Sequence, residues 1–273
     1  MTTIDPTRPW TIITGDCMAV LKDMLDGAID HVIADPPYNE RTHGGMMSAK
    51  NSKSTHRSTG PTNRPHMIRL DFAPLVDLDG LVREQLRVSR RWVVDHCALE
   101  MLGDYERAAG DAWVRAGVWR RRDPAPQFSG DRPGQACDGV AIMHRPGRKE
   151  WNGGGSAAFW EVLVVHADRV HATQKEVAGM MRMVEQFTDP GDLVLDTHCG
   201  SGTTGVACLR LGRRFLGIEV DPAMAETARE RLRAEERMVG VVSTRAGQGA
   251  VFGGRRSSPR RSPTSGRSVT PPG

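Results

Sequence analysis

The chain has no run of about eighteen apolar residues, so nothing in it reads as a membrane-spanning helix. Met1 to Trp10 carry no basic stretch followed by an apolar one, so no secretory signal is expected. Cysteine is scarce and odd in number: Cys17, Cys97, Cys137, Cys199 and Cys208. Their scattered spacing suits neither a disulfide framework nor a zinc site, and reduced thiols in a cytoplasmic protein are expected. Acidic residues are missing from two stretches. Ser243 to Gly273 holds six arginines and no Asp or Glu. Made of Ser, Pro, Gly and Arg without an apolar period, residues 243–273 read as a disordered tail. Its charge can add non-specific attraction to phosphate, or the tail can be a solvated appendage. Arg41 to Leu70 also lacks acid and is rich in Ser, Thr, Gly and Asn, which reads as a long loop of functional or disordered type. Residues 1–242 hold 31 basic and 33 acidic side chains, so the globular part is nearly neutral. His43, His56, His66 and His171 are widely spaced, three of them in the polar loop. They read as solvated, and no metal site is expected.

What is present alternates between two patterns. Asp30–Asp35, Arg91–Asp95, Leu193–Asp196 and Phe215–Glu219 are short apolar runs, as in a parallel sheet covered on both faces. Helical spacing relates Met18, Leu21 and Leu25, then Leu81, Val82, Leu86 and Val88, then Val177, Met180, Met181 and Val184. Asp221 and Pro222 predict the start of a helix running to Arg237. Met180, Met181 and Met183 read as core packing. The alternation predicts a doubly wound α/β fold. Residues 119–160 break the rhythm with Arg120-Arg121-Arg122, several Pro and Gly, and Trp151-Asn-Gly-Gly-Gly155. They read as an insertion of loops and short strands. Its arginines and tryptophans either contact nucleic acid or form an ordinary solvated excursion.

Asp196-Thr-His-Cys-Gly200-Ser-Gly202-Thr-Thr-Gly205 follows a strand and opens a helix, and Glu219 ends the next strand. Glycines there permit a tight turn and close approach to a ligand, and a carboxylate at the next strand end can accept ribose hydroxyls. The pattern also satisfies a dinucleotide fingerprint, so a nicotinamide enzyme must be weighed. Asp196 argues against it: a carboxylate aimed at the loop would repel a pyrophosphate but suits a cationic cofactor. Asp35-Pro36-Pro37-Tyr38 lies at the carboxyl end of another strand, where open α/β sheets bind ligands. The prolines fix the backbone and remove donors. An acceptor pair remains, the Asp35 carboxylate and the Pro36 carbonyl, beside the flat face of Tyr38. That set suits a planar ring bearing an exocyclic amino group.

These residues resemble the S-adenosylmethionine-dependent DNA amino-methyltransferases. Asp35, Pro36, Pro37 and Tyr38 look like their catalytic motif. Asp196, Cys199, Gly200, Ser201, Gly202, Thr203 and Glu219 look like their cofactor motifs. Thr173-Gln174-Lys175 resembles the segment at the methionine end of the cofactor, with Thr173 and Lys175 as its contacts. Gly15-Asp16-Cys17 resembles the segment near its adenine, with Asp16 and Cys17 as contacts. The catalytic motif comes first and the cofactor loop last, as in the circularly permuted beta class, and the resemblance spans about Ile12 to Arg237. It implies a Rossmann-like methyltransferase fold over residues 1–242, with loop 39–70 and insertion 119–160 as target-recognition elements. The loop after Tyr38, the run from Asp131 to Gly134 and Trp151–Gly155 further resemble phage and prophage members. The chain departs from the usual pattern at His198, Cys199 and Glu176.

The resemblance implies transfer of a methyl group to the amino group of a base flipped out of DNA. The motif Asp-Pro-Pro-Tyr is more typical of adenine enzymes; N4 of cytosine stays open, as does a catalytically silent DNA-binding relative. RNA or protein amides rank lower. Arg41, Lys50, Lys53 and Arg57 are the first candidates for DNA contact. No membrane partner is expected, and a homodimer and a cognate restriction enzyme are left open.

Overall fold

The computed structural model describes residues 8–38, 75–124, 131, 133–163 and 175–249, with side chains to Val239. Arg41, Lys50, Lys53, Arg57 and the rest of loop 39–70 lie outside the described residues. So do Thr173, Gln174, the four histidines 43, 56, 66 and 171, residues 125–130 and 132 of the insertion, and the chain beyond 249.

Eight strands form one sheet: β1 (Trp10–Thr14), β2 (His31–Ala34), β3 (Trp92–Cys97), β4 (Trp113–Arg121), β5 (Cys137–His144), β6 (Phe159–Val162), β7 (Leu193–Asp196) and β8 (Arg214–Glu219). Their order is β1-β8-β7-β2-β3-β5-β4-β6. The first five in that order are mutually parallel. β5 runs antiparallel to both its neighbours, and β6 is parallel to β4. The helices are α1 (Cys17–Lys22), α2 (Leu78–Val88), α3 (Leu102–Ala109), α4 (Val177–Phe187), α5 (Thr203–Arg210) and α6 (Pro222–Gly249). No helix among the described residues is long and apolar enough to cross a membrane.

Continuous apolar strands follow from having helices on both faces. Neighbours in one strand, Val32 and Ile33, feed opposite cores. Ile33, Val94, Val194 and Phe215 pack with Met180, Met183, Val206 and Leu232 of α4, α5 and α6. Val32, Val93, Leu195 and Leu216 pack with Leu21, Leu81 and Tyr105 of α1, α2 and α3. Met180 and Met183 are buried in the core as expected. The caps are local: Asp16 accepts from Ala19 N (2.8 Å), Asp77 from Gly80 N (2.8 Å), and Asp221 from Ala223 N (2.7 Å).

Three readings need correction. Within residues 119–160 the strands are the end of β4, all of β5 and the start of β6, with loops between them as read, but these strands belong to the main sheet and not to a separate excursion. Trp119 and Trp160 are each 1% exposed, so they serve the core and not nucleic acid. Arg120 and Arg122 pair with Glu161, and Arg121 with Asp138. Leu25 lies beyond the end of α1 and is exposed. The last helix runs on to Gly249, so residues 243–249 of the stretch read as disordered are helical; no proline interrupts it before Pro259.

Candidate active site

β2 ends at Ala34, and Pro36-Pro37 prevents the chain from continuing the ladder. Asp35 and Tyr38 are therefore held at the carboxyl end of the sheet. The Tyr38 hydroxyl donates to Asp35 Oδ1 (3.4 Å). Lys175, just before α4, reaches the same place. Its Nζ is 3.2 Å from Asp35 Oδ1, 3.1 Å from the Tyr38 hydroxyl and 3.3 Å from Asp138 Oδ2. Its charge also lies 5.6 Å from the centre of the Tyr38 ring. Asp138, on β5 and buried, has its other oxygen 3.3 Å from Arg121 Nη2. Burial raises the Asp35 carboxyl above its ordinary range, against the pull of Lys175 and with the push of Asp138. Burial alone would lower Lys175. Asp35, Tyr38 and Asp138 more than reverse that and hold it well above the usual ammonium value.

On the neighbouring strand, Asp196 ends β7 almost fully buried. Its Oδ2 accepts from Thr204 Oγ1 (2.6 Å) and its Oδ1 from the His198 amide (3.1 Å). Burial pushes it up to about 7, with Thr204 and His198 opposing and Asp35 and Glu219 adding to the rise. Gly200 (φ +50°) and Gly202 (φ +81°) make the turn in left-handed conformations that glycine adopts at little cost. Glu219, at the end of β8, ties that turn down: Oε2 accepts from Gly200 N and Oε1 from Asp221 N, both at 2.9 Å.

Not every loop residue faces the ligand side. Cys199 was expected among the cofactor contacts. Its thiol is instead packed in the core, where a Cβ on Gly217 of β8 would come within 2.8 Å of Sγ. Ser201 and Thr203 turn their hydroxyls to Arg231 of α6, at 2.8 and 3.4 Å. Asp16 uses one oxygen as the cap of α1. Lys175 was expected at the cofactor and stands on Asp35 instead.

Sequence reasoning missed a buried chain behind the loop. Gln85 Nε2 of α2 donates to Asp95 Oδ1 (3.1 Å) and to Thr197 Oγ1 (3.3 Å). Thr197 Oγ1 lies 3.0 Å from His198 Nδ1, and His198 Nε2 lies 3.5 Å from Cys17 Sγ. Burial brings His198 down to about 4, with Asp16 opposing, so the ring is neutral. Burial also holds Asp95 well above the carboxylate range and Cys17 at about 11, favouring their protonated forms. Asp95 carried a signal, as a carboxylate near a strand end like Asp35 and Asp196. Asp138 and Gln85 carried none.

Asp196 and Glu219 flank a glycine turn free of lysine, a set suited to a cationic ligand bearing hydroxyl groups. Asp35 and Tyr38 stand at the next strand end. Among the described residues no group of three or more metal-ligating side chains occurs.

Residues 105–230 match the family model of N6/N4 type described as DNA methylase. The type II methyltransferase M.HinfI of Haemophilus influenzae is 24% identical over 257 residues, covering 82% of this chain and 68% of that protein. The putative methylase YubD of Escherichia coli (strain K12) is 27% identical over 227 residues, covering 82% and 91%. Among solved structures, the M1.HpyAVI–SAM complex superposes with a TM-score of 0.58 at 21% identity over 82% of this chain and 99% of that one. The cytosine-N4-specific PvuII DNA methyltransferase gives 0.56 at 12% identity over 85% and 93%. The sheet is thus of the Rossmann-like methyltransferase type, and over residues 105–230 the chain is similar to the DNA methylases of N6/N4 type.

Proposed function

We propose that this chain methylates the N6 amino group of adenine at specific sites in DNA, with S-adenosylmethionine as methyl donor. The observation that carries the reading is the adjacency of two strand ends: Asp35-Pro36-Pro37-Tyr38 after β2, and Asp196 with its glycine turn after β7. Asp196, Gly200, Gly202 and Glu219 would hold the cofactor, with Asp16 and Cys17 at its adenine side. Their acidic, lysine-free character fits a cation with a ribose and disfavours a pyrophosphate. When bound, that group supplies a methyl carbon activated by its sulfonium, the C–S bond breaking as the C–N bond forms.

The chain's own task is to align and desolvate a weak nucleophile. An aromatic amine is weak because its lone pair is delocalised into the ring. Hydrogen bonds to Asp35 and the Pro36 carbonyl draw the nitrogen toward a tetrahedral shape and free that pair. Tyr38 stacks on the flipped base. The proton shed by the amine passes to Asp35 or to water. Loop 39–70, with Arg41, Lys50, Lys53 and Arg57, is the first candidate for holding the DNA, through phosphate contacts that position without specifying sequence.

The test is nucleoside analysis of DNA from a methylation-deficient host after incubation with the protein and S-adenosylmethionine. N6-methyldeoxyadenosine is expected. N4-methyldeoxycytidine would replace adenine by cytosine on the same acceptors, a choice that the likeness to the PvuII enzyme keeps in view. No methylated nucleoside would sink the reading.

A further inference from the structure

The Lys175 ammonium has three N–H bonds and three acceptors around it: Asp35 Oδ1, the Tyr38 hydroxyl and Asp138 Oδ2. Among the described residues, the side-chain contacts to Asp35 fall on one oxygen. Lys175 and the Tyr38 hydroxyl both take Oδ1, and among the described residues Oδ2 has no hydrogen bond. Asp138 is itself braced by Arg121 through its second oxygen. A charge held on three sides fixes the geometry of whatever it touches better than a single pair does.

We propose that Lys175, braced by Asp138, is a positioning residue of the amine clamp: it anchors Asp35 Oδ1 and the Tyr38 hydroxyl and leaves Asp35 Oδ2 to accept from the target amine. This assigns Lys175 to the base side of the site and adds Asp138 to the machinery. It rests on the methyltransferase reading above. The groups facing Asp35 are Lys175 before α4, Tyr38 on its own segment, Asp138 of β5 with Arg121 of β4 behind it, Asp95 of β3, and Asp196 of β7. His96 of β3 lies near Lys175 and is kept neutral by burial, with the lysine charge adding to the effect. Lys175 is the cation that bonds directly to Asp35 in this group. A cation so placed opposes the effect of burial and favours the ionised form of Asp35, in which both oxygens accept hydrogen bonds.

The experiment compares wild type, Lys175→Met, Asp138→Asn and the double variant. Three quantities are read: methyl incorporation into unmethylated genomic DNA at saturating S-adenosylmethionine, cofactor affinity by calorimetry, and the titration of the Asp35 carboxyl carbon by carbon-13 NMR in the cofactor-free protein. Lys175→Met should slow transfer about a hundredfold, the scale of a misplaced reacting group. Cofactor affinity should stay unchanged, and the Asp35 midpoint should move to higher pH. Asp138→Asn should slow transfer less, and adding it to Lys175→Met should cost nothing more, since the two act through one contact. A Lys175→Met protein that transfers at the wild-type rate when saturated but binds cofactor weakly would return Lys175 to the cofactor site and overturn the proposal. An unmoved Asp35 midpoint, or additive losses in the double variant, would also overturn it. If Lys175→Met does not fold, Asp138→Asn decides alone: a slower rate at unchanged cofactor affinity supports the bracing role, and an unchanged rate refutes it. A wild-type chain that methylates no DNA overturns both readings, whereas an active wild type with an indifferent Lys175→Met overturns this one only.

Discussion

Asp35 and Asp196 stand at the ends of adjacent parallel strands, with β2 paired to β7 through His31 with Val194 and Val32 with Leu195. Each is raised by burial, and Asp35 contributes to the rise of Asp196. Their other neighbours differ. Asp35 has an ammonium at 3.2 Å, while Asp196 has a hydroxyl and a backbone amide. Two nearby carboxyls in unlike surroundings suit two roles, one held by a cation beside the amine and one poised for a cationic ligand.

Removing the first should separate chemistry from binding. Asp35→Ala is expected to lower methyl transfer by at least about 10²–10³-fold, the usual loss for one oriented group at a reacting centre. Cofactor binding measured by calorimetry should survive. If both vanish together, Asp35 is structural.

Tyr38 has a ring and a hydroxyl, and both are engaged. The hydroxyl accepts from Lys175 and donates to Asp35. Tyr38→Phe should therefore reduce transfer measurably, and Tyr38→Ala should reduce it further by removing a stack worth about 1–3 kcal/mol. Equal losses in single-turnover assays would assign the whole effect to the hydroxyl.

With Asp196 at the proposed cofactor site, cofactor binding is expected to depend on pH. With its carboxyl raised to about 7 in the free protein, it is largely neutral at lower pH and attracts a cation less. Affinity should strengthen as pH rises through about 7 and then level off. Below that point binding should release a proton, visible as a heat that changes with the buffer's own ionisation enthalpy. Asp196→Asn should flatten the profile; a flat wild-type profile would contradict the assignment.

The third glycine of the loop pattern makes a prediction about stability. Gly205 lies in α5, and a Cβ there would come within 2.6 Å of Phe215 Cδ1 and 2.8 Å of Leu232 Cδ2. Gly205→Ala should cost about 1–3 kcal/mol by overpacking. Gly155→Ala, where a Cβ meets nothing within 4 Å, should stay within about 0.5 kcal/mol. Urea unfolding midpoints of the two variants compare them directly.

Much of the fold was legible because it is written locally. The four runs ending near Asp35, Asp95, Asp196 and Glu219 became β2, β3, β7 and β8, and Asp221 capped the helix it announced. What could not be read depends on distant pairing. Nothing near Asp138 announces that β5 will lie against β3, and only that pairing brings it toward Asp35 and Lys175. Spacing also failed to say which way loop side chains point. Cys199 went into the core and Ser201 to Arg231, because the turn that exposes Gly200 must rotate its neighbours inward. Gly205 belonged to the same pattern for a packing reason, not for contact with a ligand.

One reversed strand has a consequence for how this centre can change. β5 runs against β3 and β4, so its opening residues meet the closing residues of its neighbours, Asp138 standing across from Trp119 near the end of β4 and Gly139 across from Cys97. A residue that begins a strand thus joins Asp35 and Arg121, which stand at the closing ends of theirs, around a lysine that leads into α4. That membership depends on alignment: a slip of β5 by a single residue would exchange its two faces and turn Asp138 away from the lysine. The brace on the amine clamp is therefore written as much in the register of an antiparallel ladder as in the identity of an aspartate.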